Sequence, residues 1–205
     1  MEIKKIIDFG TDENCYILIN GDSCVVIDPG EQEKEVSEFI KEKKLNLKNI
    51  LLTHCHWDHS AGAKALKAET GAEVIASEEC RENIRNSKTN VSELFGAFMN
   101  DDIVDKTVSD GEKINVGGIG ILCLKTPGHT SCSVCYIHEN MIFSGDTLFK
   151  GSVGRWDFPT GNYQKLEESI KNKLYKLDDY IVYPGHGAET TTDTEKKYNG
   201  CISGD

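Results

Sequence analysis

Four potential metal ligands lie within six residues in the stretch Thr53-His54-Cys55-His56-Trp57-Asp58-His59. This stretch directly follows the apolar segment 50–52 and directly precedes an alanine- and lysine-rich segment that stops at Gly71. At a strand end, residues two apart point the same way, so His54 and His56 can share one ion. The turn into the following helix can direct Asp58 and His59 towards a second ion. The stretch therefore predicts a strand, a metal-binding loop and a helix in succession.

Three further loops each place a candidate ligand directly after a glycine. The pairs are Gly128-His129, Gly145-Asp146 and Gly185-His186. Glycine permits backbone turns that aim the next side chain out of a sheet edge. Five of the six histidines lie in these loops or in the first stretch, and only His138 falls within a predicted strand. A lone His or Asp in a turn is more often a cap than a ligand, but the combined pattern predicts a metal centre.

Short β-rich runs, helical periodicity and turn residues predict the remaining elements. Strands are expected at 3–7, 15–19, 24–27, 50–52, 74–76, 113–116, 119–125, 133–138, 141–144 and 180–183. Helices are expected at 32–44, 61–70, 77–85 and 163–177, with Gly71 after the second and Ser77 as the N-cap of the third. Segment 86–102 mixes breakers with apolar residues and is compatible with a mobile segment or with short helices.

Both halves of the chain thus carry several antiparallel strands and outer helices. This arrangement predicts an α/β (α+β) fold of two sheets packed face to face with helices outside. The length of 205 residues fits a single domain, 1–205, and no linker or low-complexity tract divides it. No run approaches membrane-spanning length and no apolar leader follows a basic segment, so we expect a cytoplasmic protein without a membrane partner.

Charge and cysteine content exclude other classes. The formal charge is −11, with 34 acidic against 23 basic residues, so a nucleic-acid partner is not expected. Eight cysteines in a chain of this length predict reduced, mostly buried thiols rather than a disulfide framework. Cys132 and Cys135 form a Cys-x-x-Cys pair, but the pair leads into a strand and its members face opposite sides. One buried thiol and one elsewhere is the favoured interpretation over a redox pair.

The ligand pattern resembles that of the metallo-β-lactamase fold superfamily over nearly the whole chain. The resemblance implies a four-layer αββα sandwich of two mixed, largely antiparallel sheets, with a dinuclear site along one edge. It implies that a first ion is held by His54, His56 and His129. It implies that a second ion is held by Asp58, His59 and His186, and that Asp146 bridges the two. The expected cofactors are two divalent ions, zinc first, with iron or manganese as alternatives.

Such a site implies hydrolysis by a metal-bound hydroxide that acts as the nucleophile. A divalent ion can lower the pKa of water from ~15.7 to about 7, and a second ion can polarise a carbonyl, with Asp58 orienting the attacking hydroxide. Dedicated β-lactamases of the best-known zinc subclasses use a cysteine or histidine where this chain has Asp146, so antibiotic degradation is not expected. Phosphodiester-cleaving relatives usually carry extra nucleic-acid-binding domains. Thioester and sulfur chemistry remain.

The segment Gly145-Asp146-Thr147-Leu148-Phe149-Lys150-Gly151-Ser152-Val153-Gly154-Arg155-Trp156-Asp157-Phe158-Pro159 resembles the short glyoxalase II-like (hydroxyacylglutathione hydrolase-like) enzymes of bacteria. The expected activity is hydrolysis of a small anionic acyl thioester by a monomer or small homo-oligomer. Only 19 residues follow His186, so no C-terminal helical glutathione-binding domain is expected. Arg155 is a candidate anion-binding residue or, alternatively, the structural partner of Asp157.

Two other functions compete with thioester hydrolysis. The Gly-Arg-x-Asp-Phe segment is similar to that of persulfide dioxygenases, which hold one iron on the equivalents of His54, His129 and Asp146. A non-catalytic metal-binding protein is the third interpretation. It is disfavoured because a scaffold has no need for open coordination positions.

Overall fold

The first half of the chain forms one six-stranded mixed sheet in the computed structural model, which describes residues 1–204. Its strands are β1 (Glu2–Ile7), β2 (Asn14–Asn20), β3 (Ser23–Ile27), β4 (Asn46–Leu51), β5 (Glu73–Ser77) and β6 (Lys106–Val108). They lie side by side in chain order, antiparallel from β1 to β3 and parallel from β3 to β6. Parallel neighbours need crossover connections, and helices supply most of them here.

Six α-helices and two short 3₁₀ helices surround the sheets. The α-helices are α1 (Glu33–Glu42), α2 (Trp57–Ser60), α3 (Ala63–Thr70), α4 (Glu78–Asn83), α5 (Tyr163–Asn172) and α6 (Thr192–Tyr198). The 3₁₀ helices are Ser92–Phe95 and Leu174–Lys176. As predicted, α3 ends at Gly71 in the left-handed conformation, and the hydroxyl of Ser77 caps α4 by accepting from Cys80 N.

The second half forms another six-stranded mixed sheet and a small hairpin. The strands are β7 (Lys113–Val116), β8 (Ile119–Lys125), β9 (Val134–His138), β10 (Met141–Gly145), β11 (Leu148–Phe149), β12 (Ser152–Val153), β13 (Ile181–Pro184) and β14 (Thr190–Thr191). The order in the sheet is β14-β13-β10-β9-β8-β7, and β11 pairs with β12 separately. Only the β10–β13 pair is parallel within this sheet.

Three apolar clusters hold the four layers together. The central cluster joins the two sheets, with Tyr16 and Leu51 from the first against Tyr136 and Phe143 from the second. A second cluster lies between the first sheet and helices α1, α3 and α4, and a third lies between the second sheet and α5. The order is therefore helix, sheet, sheet, helix, and the predicted αββα sandwich is confirmed.

All ten strands and four helices predicted from the sequence are present, and their ends differ by at most four residues from the predicted ones, except that α5 ends at Asn172, five residues before the predicted end at 177. The elements that the sequence did not predict are β6, β11, β12, β14, α2 and α6. Most are two to four residues long, too short for a periodic pattern to be recognised, and α6 is almost entirely polar. Segment 86–102 contains one 3₁₀ helix and is otherwise irregular. No helix among residues 1–204 is long and apolar enough to cross a membrane.

Candidate metal centre

The candidate ligands come from loops at the carboxyl ends of β4, β8, β10 and β13, which meet at one edge of the sandwich. After β4 the chain leaves the sheet, with Thr53 O accepting a hydrogen bond from Val134 N. His54 and His56 lie in the loop rather than on the strand, and Asp58 and His59 lie in α2. The prediction that the two histidines share a strand face is therefore corrected, because the strand ends at Leu51.

The loop nevertheless brings His54 and His56 together with His129. His129 Nε2 lies 3.3 Å from His54 Nε2 and 2.9 Å from His56 Nδ1. The three nitrogens could hold one ion, since they lie within 4.8 Å of one another. All three side chains are buried.

A second group is formed by Asp58, His59 and His186. His59 Nε2 lies 3.3 Å from His186 Nε2 and 3.8 Å from Asp58 Oδ2, and His186 Nε2 lies 3.4 Å from the same oxygen. These atoms also lie within 4.8 Å of one another. Asp58 and His186 are partly exposed, so this group faces the solvent more than the first does.

Asp146 lies between the two groups. Its Oδ2 is 3.5 Å from His129 Nε2, whereas its Oδ1 is 3.3 Å from His59 Nε2 and 3.7 Å from His186 Nε2. Oδ1 is buried and makes no hydrogen bond within the described residues. One oxygen thus faces each group, and the structure brings all seven predicted ligand residues to one place.

Hydrogen bonds fix the ring orientation of the histidines. His129 Nδ1 donates to the carbonyl oxygen of Arg155 at 2.6 Å. The Thr53 hydroxyl donates to Asp28 Oδ2 at 2.6 Å, and its oxygen lies 3.0 Å from His54 Nδ1, which therefore carries the proton. The Nε2 lone pairs of His54 and His129 consequently face each other. Such an arrangement suits a shared cation, since two lone pairs at 3.3 Å repel each other.

The pKa values of three histidines in the centre bear on metal binding. Burial lowers the pKa of His54 well below its ordinary value, and burial together with His129 lowers that of His56 to about 3, so both rings favour the neutral, ligating form. Burial also lowers the pKa of His59, but Asp146 and Asp58 more than offset it, and the pKa lies well above its ordinary value. Two imidazoles of the first group thus favour the ligating form, and carboxylates adjoin the second group, a combination that fits divalent ions.

Asp28 is a functional residue that the sequence analysis missed. Its buried carboxylate accepts hydrogen bonds from Thr53 N at 2.7 Å, from the Thr53 hydroxyl at 2.6 Å and from His59 Nδ1 at 3.0 Å. It therefore orients one histidine of the second group directly and His54 of the first group through Thr53. The only sequence signal was Asp28-Pro29-Gly30 at the end of β3, which marked a turn.

Glu13 and Asn14 are two further residues that were not predicted. Glu13 is fully buried, with Oε1 3.7 Å from His59 Nδ1 and Oε2 accepting from Gln32 Nε2. Asn14 Nδ2 donates to Pro184 O and Gly187 O, each at 2.9 Å, and so brackets the loop that carries His186. No motif marked either residue, because the role of Asn14 arises from contacts about 170 residues away in the chain and that of Glu13 from its burial beside His59.

The glycines before the ligands are required for two different reasons. Gly145 has φ +48°, which favours glycine, and a Cβ there would overlap the Thr53 hydroxyl. Gly185 has no such conformation, but a Cβ would overlap Asp146 Oδ1 and the His59 ring. The prediction that glycine permits a backbone turn before the ligand thus holds for Gly145, whereas Gly185 is required because of close packing.

Arg155 lies beside the first group, as predicted, but it is engaged with its neighbours. Its guanidinium donates to both carboxylate oxygens of Asp157 at 2.7 Å and stacks 3.9 Å from the ring centre of Phe158. Phe158 in turn contacts His56 edge-on, with ring centres 5.7 Å apart. The pair with Asp157 orders this loop, while the guanidinium remains exposed.

The eight cysteines are free, and seven of them are buried. Cys132 packs into the cluster between the first sheet and its helices, whereas Cys135 packs into the cluster between the second sheet and α5. Both thiols are buried, so the expectation that only one would be buried is wrong. Cys55 points away from the ligands into the cluster under α1 and α3.

Comparisons with known proteins agree with this architecture. A family model for the metallo-β-lactamase superfamily matches residues 9–186. Hydroxyacylglutathione hydrolase GloC of Haemophilus influenzae is 36% identical over 212 residues, and the alignment covers 99% of each chain.

Three solved structures share the fold. The B3 metallo-β-lactamase BLEG-1 superimposes with a TM-score of 0.91 and 30% identity, covering 97% of this chain and 98% of that one. ETHE1 from Myxococcus xanthus superimposes with a TM-score of 0.84 and 29% identity, covering 100% of this chain and 86% of that one. TTHA1623, solved in a di-iron-bound form, superimposes with a TM-score of 0.84 and 27% identity, covering 96% of this chain and 98% of that one. The chain therefore belongs to the metallo-β-lactamase superfamily and is a metallohydrolase of that superfamily.

Proposed function

We propose that the protein is a dinuclear metal-dependent thioester hydrolase, similar to glyoxalase II, that acts on anionic acyl thioesters. The residues proposed to hold the first ion are His54, His56 and His129. Those proposed to hold the second are Asp58, His59 and His186, with Asp146 ligating both. Zinc is the proposed metal, and iron or manganese suits the same mixed set of imidazoles and carboxylates.

The observation that carries this proposal is the placement of Asp146 between two groups of donors. Its two oxygens lie 3.5 Å from His129 and 3.3 Å from His59, one oxygen towards each group. A second convergent set of imidazoles fits a dinuclear centre better than a mononuclear one. The di-iron form of TTHA1623 supports two ions in this fold.

Two divalent ions in this centre would supply an activated water and Lewis-acid polarisation of a substrate carbonyl. The chain's own part is to position these groups. Asp58 Oδ2 lies on the partly exposed side of the centre, where it can accept a hydrogen bond from the attacking water and hold it in line. A thiolate leaves with little need for protonation, so the substrate class requires no separate acid side chain.

The charge of the ligand set supports an anionic substrate. Two divalent ions against the two ligand aspartates and one hydroxide leave about +1 in the ligand set, and the buried Asp28 carboxylate behind His59 offsets part of this charge. Arg155 adds an exposed cation beside the first group, and we propose it as a contact for a substrate carboxylate in addition to its bond with Asp157. The relationship to GloC supports a thioester as the reactive group.

The test is hydrolysis of S-D-lactoylglutathione by zinc-loaded protein, beside a thioester without glutathione and the β-lactam nitrocefin. We expect kcat/KM of at least ~10⁴ M⁻¹s⁻¹ on one thioester, and its loss in Asp58→Ala with the fold retained by circular dichroism. Equal, modest rates on both thioesters would indicate another thiol carrier. Turnover of nitrocefin alone would overturn the proposal.

A second candidate is persulfide oxidation at a mononuclear iron centre held by His54, His129 and Asp146. The observation that favours it is the fold match with ETHE1 from Myxococcus xanthus, together with the Gly-Arg-x-Asp-Phe segment at 154–158. Oxygen consumption by iron-loaded protein with glutathione persulfide distinguishes the two. Oxygen uptake without thioester turnover would replace the first proposal by the second.

A further inference from the structure

An exposed apolar surface adjoins the loop that carries four of the candidate ligands. Trp57 stands between His56 of the first group and Asp58 of the second, and its half-buried ring stacks on Phe95 with ring centres 5.1 Å apart and planes 15° apart. Leu94, Phe95 and Phe98 are 66%, 59% and 70% exposed. We name Trp57, Leu94, Phe95 and Phe98 the apolar rim.

The rim is held in place by hydrogen bonds that connect it to the ligand loop. Trp57 N donates to Asn90 O at 2.9 Å. The buried Asn90 amide donates to Ile84 O at 2.7 Å and Met99 O at 2.8 Å, and its oxygen accepts from Ser92 N at 3.0 Å. The loop that presents the exposed apolar side chains is thus ordered and shares a hydrogen bond with the ligand loop.

The backbone at the start of this loop is strained. Val91 has φ +56°, a left-handed conformation that is unusual for a β-branched residue, and its side chain is buried. Strain of this kind persists only where the surrounding structure enforces it, and it concentrates at functional sites. The 3₁₀ helix that follows Val91 carries the exposed side chains of Leu94 and Phe95.

Aromatic rings also border the centre elsewhere. Phe149 contacts His186 edge-on with ring centres 6.0 Å apart, and Phe158 contacts His56. Both rings are half-buried, so each presents a face to the surroundings of the centre. Apolar surface therefore adjoins both groups of ligands, whereas the cationic Arg155 lies on the side of Phe158.

We propose that the apolar rim binds the acyl group of the substrate and gives the enzyme a preference for thioesters with apolar acyl chains. The inference rests on the proposed thioester hydrolysis. The acyl chain is bonded directly to the reacting carbonyl. A carbonyl at the centre therefore places the first few carbons of the acyl chain near Trp57, which lies between His56 and Asp58 in the chain. The anionic groups of the substrate then belong to its thiol half.

The experiment compares zinc-loaded protein on acetyl-, butyryl- and hexanoyl-glutathione. Burial of one fully enclosed methylene strengthens binding about fourfold, so a half-enclosed methylene strengthens it about twofold. Hexanoyl has four more methylenes than acetyl, so we expect its kcat/KM to be about 15-fold higher. We expect Phe95→Ala to reduce this ratio below about fourfold, because the hexanoyl rate falls more than the acetyl rate. Tyr198→Ala, which removes an exposed aromatic ring on α6, should leave the ratio unchanged.

Binding of a thioether ketone, in which a methylene separates the sulfur from the carbonyl, tests the rim without turnover. The S-(2-oxoheptyl) analogue of glutathione should quench Trp57 fluorescence in a Trp156→Phe background and bind at least fivefold more tightly than the S-(2-oxopropyl) analogue. Absence of turnover on every thioester, with this preference intact, would refute the proposed function but support the rim.

Three results would overturn the inference: measurable but equal rates on all three thioesters, an undiminished chain-length preference in Phe95→Ala, or equal binding of the two analogues. Size-exclusion chromatography of Phe95→Ala provides a further check. A change of oligomeric state with an unchanged chain-length preference would show that the rim covers a second copy of the chain instead.

Discussion

Substitution of Asp28 by asparagine tests whether this carboxylate orients the ligands of both groups. Asp28 has φ +50°, a conformation that asparagine also tolerates, so the backbone does not need to change. Its carboxylate accepts three hydrogen bonds, one on Oδ1 from Thr53 N and two on Oδ2 from the Thr53 hydroxyl and His59 Nδ1. An amide retains only one acceptor oxygen, so at least one of these donors must face an NH₂ group.

The least disruptive rotamer puts the NH₂ group opposite Thr53 N and leaves one buried donor unsatisfied, which costs about 1–3 kcal/mol. For a chain of this size, 2 kcal/mol corresponds to a fall in Tm of about 4–8 °C. The loss of negative charge behind His59 also lowers its basicity. Removal of an outer partner of this kind weakens metal binding about 10- to 100-fold, equivalent to about 1.4–2.7 kcal/mol.

The assay is competition for zinc against a chromogenic chelator, with thermal unfolding of the metal-free protein measured separately. Asp105→Asn is the matched control, because that carboxylate also accepts a backbone hydrogen bond, from Val74 N at 2.9 Å, but lies outside the histidine cluster. We expect the control to keep wild-type zinc affinity. If Asp28→Asn binds two zinc ions as tightly as the wild type, Asp28 does not orient the ligands and the reasoning is refuted.

Three other outcomes follow from the geometry. Gly185→Ala should abolish zinc binding to the second group because the new Cβ overlaps Asp146, whereas Gly120→Ala, which meets no atom within 4 Å, should bind normally; equal metal content in the two variants would contradict this. Thr53→Val removes the hydroxyl between Asp28 and His54 and should weaken binding of the first ion about 10-fold, while the hydrogen bond from His59 to Asp28 survives. Equal weakening of the binding of both ions, measured in the same competition assay, would show that Asp28 does not orient His54 through Thr53. Ellman's reagent should titrate one thiol, Cys201, in the native protein and eight after unfolding, since seven cysteines are buried, and rapid titration of more than one native thiol would show that the core opens readily.

Most of the fold was predictable because its elements follow local rules. Alternating and continuous apolar runs marked ten strands, and the glycine after α3 and the serine before α4 marked helix boundaries. The candidate ligands were predictable for a similar reason, since Thr53-His54-Cys55-His56-Trp57-Asp58-His59 concentrates them in one loop. Short strands such as β11 and β14 have no such signal, because two residues cannot show a period.

The residues that support the ligands were not predictable for a different reason. Asp28, Glu13 and Asn14 lie in turns or at the start of a strand, where polar residues are common and carry no special signal. Their importance depends on burial and on partners distant in the chain, as with Asn14 and the loop after β13. The apolar rim was not predictable for the same reason. Phe95 lies in the segment 86–102, for which no element was predicted, and its stacking on Trp57 is visible only in the structure.

The two groups of ligands differ in burial, and this difference indicates from which side a substrate must approach. The three histidines of the first group are no more than 2% exposed, whereas the side chains of Asp58 and His186 are 21% and 26% exposed. Under the proposed function, a substrate carbonyl therefore approaches the centre from the side of the second group. Trp57 immediately precedes Asp58 in α2 and stacks on Phe95, so the apolar rim begins in the same helix that carries the aspartate of the second group. Under the proposed function, the part of the chain that opens the second group to substrate is also the part that selects the acyl chain.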